Sequence, residues 1–376
     1  MSLSINLRSL TRTNHANKLF QHAKFASSTT PSYLSYDKDP STSFFHPDTQ
    51  RLLTSITRLQ LDKVFKRRAI ANNTVEFKFM TEKQLEDEVR KKFAEARHLL
   101  QMPPVVQPME DKQNIISSDS ALTGFTDSSF VFTDVTFGLK NSDRSIVIRT
   151  PDGVLEEAPF DVRKRCYQIY FPMKGRTFRD PTMFEPNNLR RLIDAGEYEF
   201  VLDRMCIQYE PFETKFHQIT SQVYQHVSEN QLFESLRSTR HFGPMAFFFA
   251  WHKTIDDLLL DMVRNDFLEN AVELICLMFK LNEIKADTSI LKTLEARNSA
   301  EKQIKSVIDS MLSTDKSTVK KIEKSSEDLQ IDELCFEFIQ ESFVKSHSLK
   351  KGQLELALQS YKERHNELKN IAEGVN

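Results

Sequence analysis

Glycine is scarce in this sequence. The chain has eight glycines among 376 residues, and none of them lies close to another. The dinucleotide-binding and Walker motifs, which hold phosphate groups, need several glycines within about eight positions, so neither motif can be written anywhere. The G-x-S-x-G motif of hydrolases and the HExxH motif of metalloproteases are absent too. These absences argue against the common classes of enzyme.

Cysteine and long apolar runs are also scarce. The four cysteines form no CxxC pair, which disfavours a zinc ribbon or a redox pair, and their apolar neighbours predict buried free thiols. The sequence leaves open a metal site shared between two chains. The longest apolar run, residues 245–251, has seven residues. It is too short to cross a bilayer, and it predicts a buried helix. The cysteines are Cys166, Cys206, Cys276 and Cys335.

The first 36 residues contain no acidic side chain. Basic residues spread at helical intervals, many hydroxyl groups and no acids are typical of a mitochondrial transit peptide, which we expect over residues 1–28. The alternative is a disordered basic tail that contacts nucleic acid. Without its four cations the chain has 47 basic and 53 acidic residues, so a global basic field is not available to hold nucleic acid. Those cations are Arg8, Arg12, Lys18 and Lys24.

Hydrophobic periodicity predicts an α+β protein, mostly helical, with a small central antiparallel β region and a C-terminal helical domain. Thr81 and Gln84 predict a capping box at the start of a helix, and alternation over residues 75–79 predicts a short strand before it. Pro151-Asp152-Gly153 predicts a tight turn between two strands. The expected segments are a transit peptide (1–28), a linker (29–46), an N-terminal helical segment (47–106), a second linker (107–128), a small β region (129–181), a helical domain (182–281), a charged connection (282–330) and C-terminal helices (331–374).

Three carboxylates lie close together in the helical domain and could suggest paired catalytic acids. Asp256, Asp257 and Asp261 lie between leucines at positions that predict a solvated helix face. We therefore expect no catalytic or metal-binding role for them.

Basic clusters are the only candidate sites with a mechanism. Lysine and arginine neutralise phosphates, and the planar arginine group can hold two oxygens. Aromatic residues flank Lys174-Gly175-Arg176, so a base could stack there while the backbone is held. Most such clusters are only solvated faces, and Arg237 and Arg240 could instead pair with acids inside the helical domain. The clusters lie at 63–68, 163–165, 174–179, 190–191 and 237–241. The candidate RNA-contacting residues are Lys66, Arg67, Arg68, Lys174, Arg176, Arg237 and Arg240.

Four segments, taken in order, resemble the family of mitochondrial small-ribosomal-subunit proteins numbered twenty-two. The likeness covers residues from roughly 48 to 280 and weakens beyond them. The segments are Phe79-Met80-Thr81 through Met102-Pro103-Pro104-Val105, then Phe130-Val131-Phe132-Thr133-Asp134, then Gln168-Ile169-Tyr170-Phe171-Pro172 with Gly175-Arg176, and Leu236-Arg237-Ser238-Thr239-Arg240-His241-Phe242-Gly243.

The resemblance implies a non-enzymatic accessory protein of the mitochondrial ribosome, with no bacterial counterpart. Its partners would be the small-subunit ribosomal RNA and other small-subunit proteins in the matrix, where it would support subunit assembly and mitochondrial translation. It implies no catalytic residue, metal, cofactor, membrane or small-molecule substrate. Two alternatives stay open: a transient mitochondrial RNA-binding or assembly factor, and a matrix enzyme of unrecognised type.

Overall fold

The computed structural model describes residues 34–65, 77–109, 114–124, 126–139, 141–285, 289–297, 304–305, 308 and 326–372. The predicted transit peptide therefore lies outside the described residues. The α+β class is confirmed, because helices dominate and four strands form one antiparallel sheet. The helices are α1 (Ser41–Phe44), α2 (Pro47–Thr57), α3 (Leu61–Val64), α4 (Glu82–Leu99), α5 (Phe160–Tyr170), α6 (Pro186–Asp194), α7 (Tyr198–Gln208), α8 (Thr214–Glu229), α9 (Phe242–Trp251), α10 (Asp256–Arg264), α11 (Leu268–Leu281), α12 (Ile290–Arg297), α13 (Ser326–Phe338) and α14 (Lys351–Ala372). The strands are β1 (Ile115–Ser118), β2 (Phe130–Thr133), β3 (Ile146–Arg149) and β4 (Val154–Glu157).

One hydrophobic core joins the N-terminal helices, the helical domain and the C-terminal helices. It extends from Tyr36 to Tyr361 in α14. Helix α9 packs against both α2 and α11, and its residues 242–250 are all buried. A helix that is apolar on every side must be buried on every side. The prediction of a buried helix over residues 245–251 is therefore confirmed.

The acidic residues of α10 are not on a solvated face, so that prediction is wrong. Asp256 is 4% exposed, and its Oδ1 accepts hydrogen bonds from Ser348 Oγ at 2.6 Å and from Leu349 N at 3.1 Å. It thereby fastens the start of α14 to α10. Asp261 accepts from the buried Arg237 at 2.5 Å. The sequence periodicity placed these carboxylates on one side of a helix, but other helices cover that side.

The sheet has the strand order β1-β4-β3-β2. Ile146 and Ile148 of β3 pack with Cys166 of α5, so this helix covers one face. The predicted turn after β3 is present: Gly153 has a φ of +78°, and a Cβ atom there would lie 2.2 Å from the carbonyl oxygen of Asp119. Only glycine fits this turn.

Strand β1 lies in the segment 107–128, which we expected to be a linker, so that part of the prediction is wrong. All four residues of β1 are exposed. An exposed strand carries no alternation of buried and polar residues, and its pairing with β4 depends on backbone hydrogen bonds. Composition alone could not indicate it.

The capping box before α4 is confirmed. Thr81 N donates to Gln84 Oε1 at 3.0 Å, and Gln84 N donates back to Thr81 Oγ1 at 3.4 Å. The predicted strand before it is wrong for the residues that the structure describes, since 77–80 belong to no strand. Phe77 and Phe79 are 91% and 104% exposed. Their alternation pairs with none of the four described strands.

Candidate nucleic-acid interface

An open groove of about 1000 Å³ runs beside α5 and brings two of the predicted basic clusters together. Helix α5 contributes Lys164 and Arg165 to it, and the turn 176–180 contributes Arg176 and Phe178. The segment 212–215, which precedes and begins α8, also lines the groove. Clusters that are ten residues or more apart in sequence therefore line a single surface feature.

The turn that carries Lys174 and Arg176 is fixed to the end of α7. Arg176 has a side chain that is only 7% exposed. Its Nε donates to the carbonyl oxygen of Ile207 at 3.0 Å, and its Nη1 donates to Glu210 Oε1 at 2.8 Å. Gln208 is fully buried and bonds both the N–H and the C=O of Thr177 at 3.0 Å. Arg176 therefore holds the turn in place, and its charge is largely used inside the protein.

Most other cations inside the groove are also compensated. Lys164 Nζ lies 2.9 Å from Glu213 Oε2, and Lys215 pairs with Asp180. Because each of these charges faces a carboxylate, the floor of the groove is close to neutral. It does not offer a concentrated positive field to an anion.

The uncompensated charge belongs to Arg165, which lines the groove, and to Lys174 and Arg179, which lie in the adjoining turn next to the lining residues Arg176 to Phe178. Arg165, Lys174 and Arg179 are exposed, and none of them makes an ion pair with a residue that the structure describes. The ring of Phe178 is 55% exposed, with the Arg165 guanidinium carbon 5.6 Å from its centroid. We call Arg165, Lys174, Phe178 and Arg179 the rim surface. It combines free cations with an exposed ring, as single-stranded RNA recognition requires.

Arg237 is in the interior of the helical domain. Its side chain is fully buried, with Nε 2.8 Å from Glu234 Oε2 and Nη2 2.5 Å from Asp261 Oδ2. Its guanidinium carbon lies 4.8 Å from the centroid of the Phe267 ring. This is the acid-paired arrangement that we considered as the alternative to RNA contact, and a buried guanidinium has no surface to offer to a ligand.

The carboxylates around Arg237 respond differently to their surroundings. Burial raises the pKa of Asp261, although the charge of Arg237 opposes the shift. Burial also tends to raise the pKa of Glu234, but hydrogen bonds from Lys63 and Arg237 overcome it and leave that pKa lowered. Glu234 therefore provides the ionised partner, and Asp261 depends on Arg237 to stay charged.

Arg240 is partly accessible. Its Nη2 lies 2.7 Å from Asp203 Oδ1, and its side chain is 35% exposed. The same oxygen contacts His241 Nε2 at 2.8 Å. Burial lowers the pKa of His241 in spite of this carboxylate, so Arg240 supplies the permanent charge of the group. The three remaining predicted residues, Lys66, Arg67 and Arg68, lie outside the described residues.

The part of the chain that the structure describes holds no group of three or more metal-ligating side chains. Cys166, Cys276 and Cys335 are buried and Cys206 is partly buried, all as free thiols. Burial raises the pKa of Cys206 to about 11 and that of Cys276 to about 12, so both thiols stay protonated at neutral pH. Among the described helices, none combines the length and the apolar character needed to span a bilayer.

Comparison with known proteins gives a family. The family model described as "Mitochondrial 28S ribosomal protein S22" matches residues 42–283, which is more than half of the chain. The chain belongs to this family. The match includes the sheet, most of the groove, the rim surface and the Arg237 cluster, and it confirms the family that the four sequence segments indicated.

Two relatives agree with this assignment. The chain is 34% identical over 239 residues to the small ribosomal subunit protein mS22 of Mus musculus, an alignment that covers 64% of this chain and 67% of the relative. It is 33% identical over 232 residues to the mS22 protein of Bos taurus, covering 62% of this chain and 65% of the relative. The alignments therefore extend over about two thirds of each relative's length.

The sequence prediction did not include several residues that shape this surface. Phe212, Glu213 and Lys215 line the groove but lie more than thirty positions from the turn at Gly175. No spacing rule relates residues so far apart. Arg165 and Arg179 have no acidic partner among the described residues, whereas the nearby cations Lys164 and Arg176 pair with Glu213 and Glu210. Only the folded structure shows which cations are paired.

Proposed function

We propose that this protein is a structural, non-catalytic component of the small subunit of the mitochondrial ribosome and works in the mitochondrial matrix. The observation that carries the proposal is the family match over residues 42–283. In this role the protein contacts small-subunit ribosomal RNA and neighbouring ribosomal proteins, and it supports subunit assembly and mitochondrial translation.

In this proposal RNA contact is local. The chain has 51 basic and 53 acidic residues, so its net charge does not attract a polyanion. The rim surface has three cations without described acidic partners, and these can neutralise phosphates while Phe178 stacks on an unpaired base. Lys174 is the rim residue that the sequence analysis named as a candidate RNA contact, while Arg165 and Arg179 belong to predicted basic clusters. Arg240 and residues 66–68 remain predicted contacts.

Arg176 and Arg237 have a different part in the proposal. Arg176 holds the turn that presents Lys174, and Arg237 holds the helical domain together. Replacing either residue would alter RNA binding by disturbing the fold rather than by removing a contact.

Sedimentation of mitochondrial lysate on a sucrose gradient tests the proposed role. A structural component should be found with mature small subunits and with assembled ribosomes, in a fixed ratio to other small-subunit proteins. A transient assembly factor would instead be found only with immature particles. Absence from every small-subunit fraction would overturn the proposal.

Charge-reversal variants test the RNA contact. The triple variant Arg165→Glu, Lys174→Glu, Arg179→Glu removes the rim cations, and the matched control Arg165→Lys, Lys174→Arg, Arg179→Lys keeps them. For binding to small-subunit RNA, the logarithm of the association constant decreases linearly with the logarithm of the salt concentration. The steepness of this line should decrease by about 2 to 3 in the triple variant, because each lost phosphate contact contributes about 0.7 to 0.9. An unchanged slope would show that the rim cations do not contact RNA.

A further inference from the structure

Strand β2 presents one open edge to solvent. Among the described strands it pairs only with β3, through Phe130↔Arg149, Val131↔Ile148, Phe132↔Val147 and Thr133↔Ile146. Asp134 N donates to the carbonyl oxygen of Ser145 at 3.0 Å. Hydrogen-bonded and non-bonded pairs alternate in an antiparallel ladder, so residues 130, 132 and 134 bond to β3. The N–H and C=O groups of Val131 and Thr133 therefore point away from the sheet.

Within the part of the chain that the structure describes, the open edge lacks the usual protection. Natural edge strands carry lysine, proline, a bulge or a covering element. The other edge of this sheet follows that rule, since β1 has a register shift between Ile115 and Ser117. Strand β2 reads Phe-Val-Phe-Thr and keeps a regular register along its whole length.

The outer sheet face is apolar along β2. Directly paired residues point to the same face, so Phe130 and Phe132 lie on the face opposite to the one that α5 covers, together with Val147, while Arg149 and Glu157 bring charge to the same face. Phe130 and Phe132 are 50% and 52% exposed. A sheet with one face in water usually carries polar residues there. An exposed apolar face rimmed by charge marks an interaction site.

The loop after β2 extends the apolar surface and is held in place. Arg144 is buried, and its guanidinium donates to the carbonyl oxygens of Thr136 at 2.7 Å and Leu139 at 2.9 Å. The same guanidinium lies 3.5 Å from the centroid of the Phe171 ring. Phe137, within this fixed loop, is 100% exposed. The structure therefore presents Phe137 outward on an anchored backbone.

The charge around the sheet selects the class of partner. Residues 114–157, which contain the four strands, have seven acidic side chains and three basic ones, so this segment carries a net negative charge. The cations Arg163, Lys164 and Arg165 belong to α5, which covers the other face of the sheet. Asp134 stays ionised, because hydrogen bonds from Thr136 lower its pKa. Negative charge repels RNA, and it would also repel a second copy of the same sheet. It favours a positively charged polypeptide. The acidic residues are Asp119, Asp127, Asp134, Asp143, Asp152, Glu156 and Glu157.

We propose that the open edge of β2 binds an extended, basic segment of another protein, which adds a fifth strand to the sheet. The backbone groups of Val131 and Thr133 pair with the incoming strand, as in other cases of strand addition. Alternate apolar side chains of that segment pack beside Phe130, Phe132 and Phe137. Its flanking basic residues face Asp127 and Asp134.

Designed peptides test this proposal on the purified full chain. The first probe is a labelled peptide Lys-Val-Thr-Val-Thr-Val-Lys, and the charge control replaces both lysines with glutamate. A third peptide replaces both threonines with proline, which removes the backbone donors. Fluorescence anisotropy should show binding of the basic peptide, about ten-fold weaker binding of the acidic one, and none of the proline peptide. Equal affinity of the basic and acidic peptides would overturn the charge assignment.

Amide hydrogen exchange shows whether binding occurs by strand addition. In the free chain the amides of Val131 and Thr133 should exchange fast, and those of Phe130 and Phe132 should be protected by β3. Adding the basic peptide should protect Val131 and Thr133 as well. Binding without this protection would contradict strand addition, whatever the affinity.

A proline variant provides the matched test at the edge. Val131→Pro removes only an outward-facing N–H, which an edge strand tolerates, and it should abolish peptide binding. Val131→Thr keeps the N–H and should bind as the original chain does. If Val131→Pro proves unstable, Phe132→Ser provides a second test. It removes an aromatic ring from the apolar face and should weaken peptide binding. Two results would overturn the assignment of a basic protein partner. One is that the original chain forms a dimer which Val131→Pro disrupts, and the other is that an RNA oligonucleotide competes with the peptide for binding.

Discussion

The buried ion pair of Arg237 with Asp261 should be one of the main supports of the helical domain. Arg237 is fully buried and Asp261 is 14% exposed. Replacing Arg237 with methionine leaves the Asp261 carboxylate partly buried without its cation. Removing one partner of a buried pair typically costs about 3–5 kcal/mol. The second partner of Arg237, Glu234, is 58% exposed, so water can solvate it after the change.

The neighbouring ion pair provides a matched control. Arg240 and Asp203 are 35% and 45% exposed, and exposed pairs contribute about 0–1 kcal/mol. Arg240→Met should therefore lower the free energy of unfolding only slightly. The two variants remove the same type of group from positions three residues apart, so the difference between them reports burial.

Urea unfolding followed by tryptophan fluorescence measures both variants. The sequence has one tryptophan, Trp251, whose Nε1 donates to Asp37 at 2.8 Å and whose ring lies 5.7 Å from that of Phe247 in the core. The double variant Arg237→Met, Asp261→Leu should lose less free energy of unfolding than the two single variants lose together. The difference, which is the coupling energy, should be about 0.5–3 kcal/mol. A loss below about 1 kcal/mol for Arg237→Met would refute the assigned structural role.

Three further predictions concern particular side chains. Burial raises the pKa of Glu273 to about 7, so ionising this residue opposes folding; the protein should lose on the order of 3 kcal/mol of stability from this group as the pH rises from about 4.5 through 7. Urea unfolding across that range should show the loss, Glu273→Gln should flatten it, and an unchanged pH dependence in that variant would contradict the assignment. Thr81→Ala should cost α4 about 1 kcal/mol by removing the capping box, seen as faster amide exchange in the first turn, while Thr81→Ser should keep the original rate; equal rates in the two variants would count against the cap. Asp256→Ala should detach the start of α14, leaving residues 348–350 open to proteolysis, whereas Asp256→Asn keeps one acceptor and should resist; equal resistance of both variants would show that the contact does not hold the loop.

Local signals in the sequence were sufficient for several elements. The run around Phe247 contains no polar residue that could face water, so α9 had to be buried. The pair Thr81 and Gln84 specifies a helix start through two hydrogen bonds within three residues. In both cases the interacting groups are neighbours in the chain.

Long-range contacts decide what the sequence could not show. Asp256 meets Ser348, which lies 92 residues away, and the exposed appearance of α10 in the sequence changes once α14 covers it. Strand β1 is stabilised by a partner almost forty residues later and has no buried face of its own. The unpaired charge of the rim surface depends on which cations form ion pairs elsewhere, as Lys164 does with Glu213. The spacing of residues in the sequence does not predict such pairs.

The most direct test of the central claim is the position of this protein in purified mitochondrial ribosomes. Small subunits isolated in salt that removes loosely bound factors should contain about one copy per particle. A density map of those particles should place the rim surface against ribosomal RNA and the β2 edge against a basic segment of another protein. Small subunits that are complete and active without this protein would contradict the account.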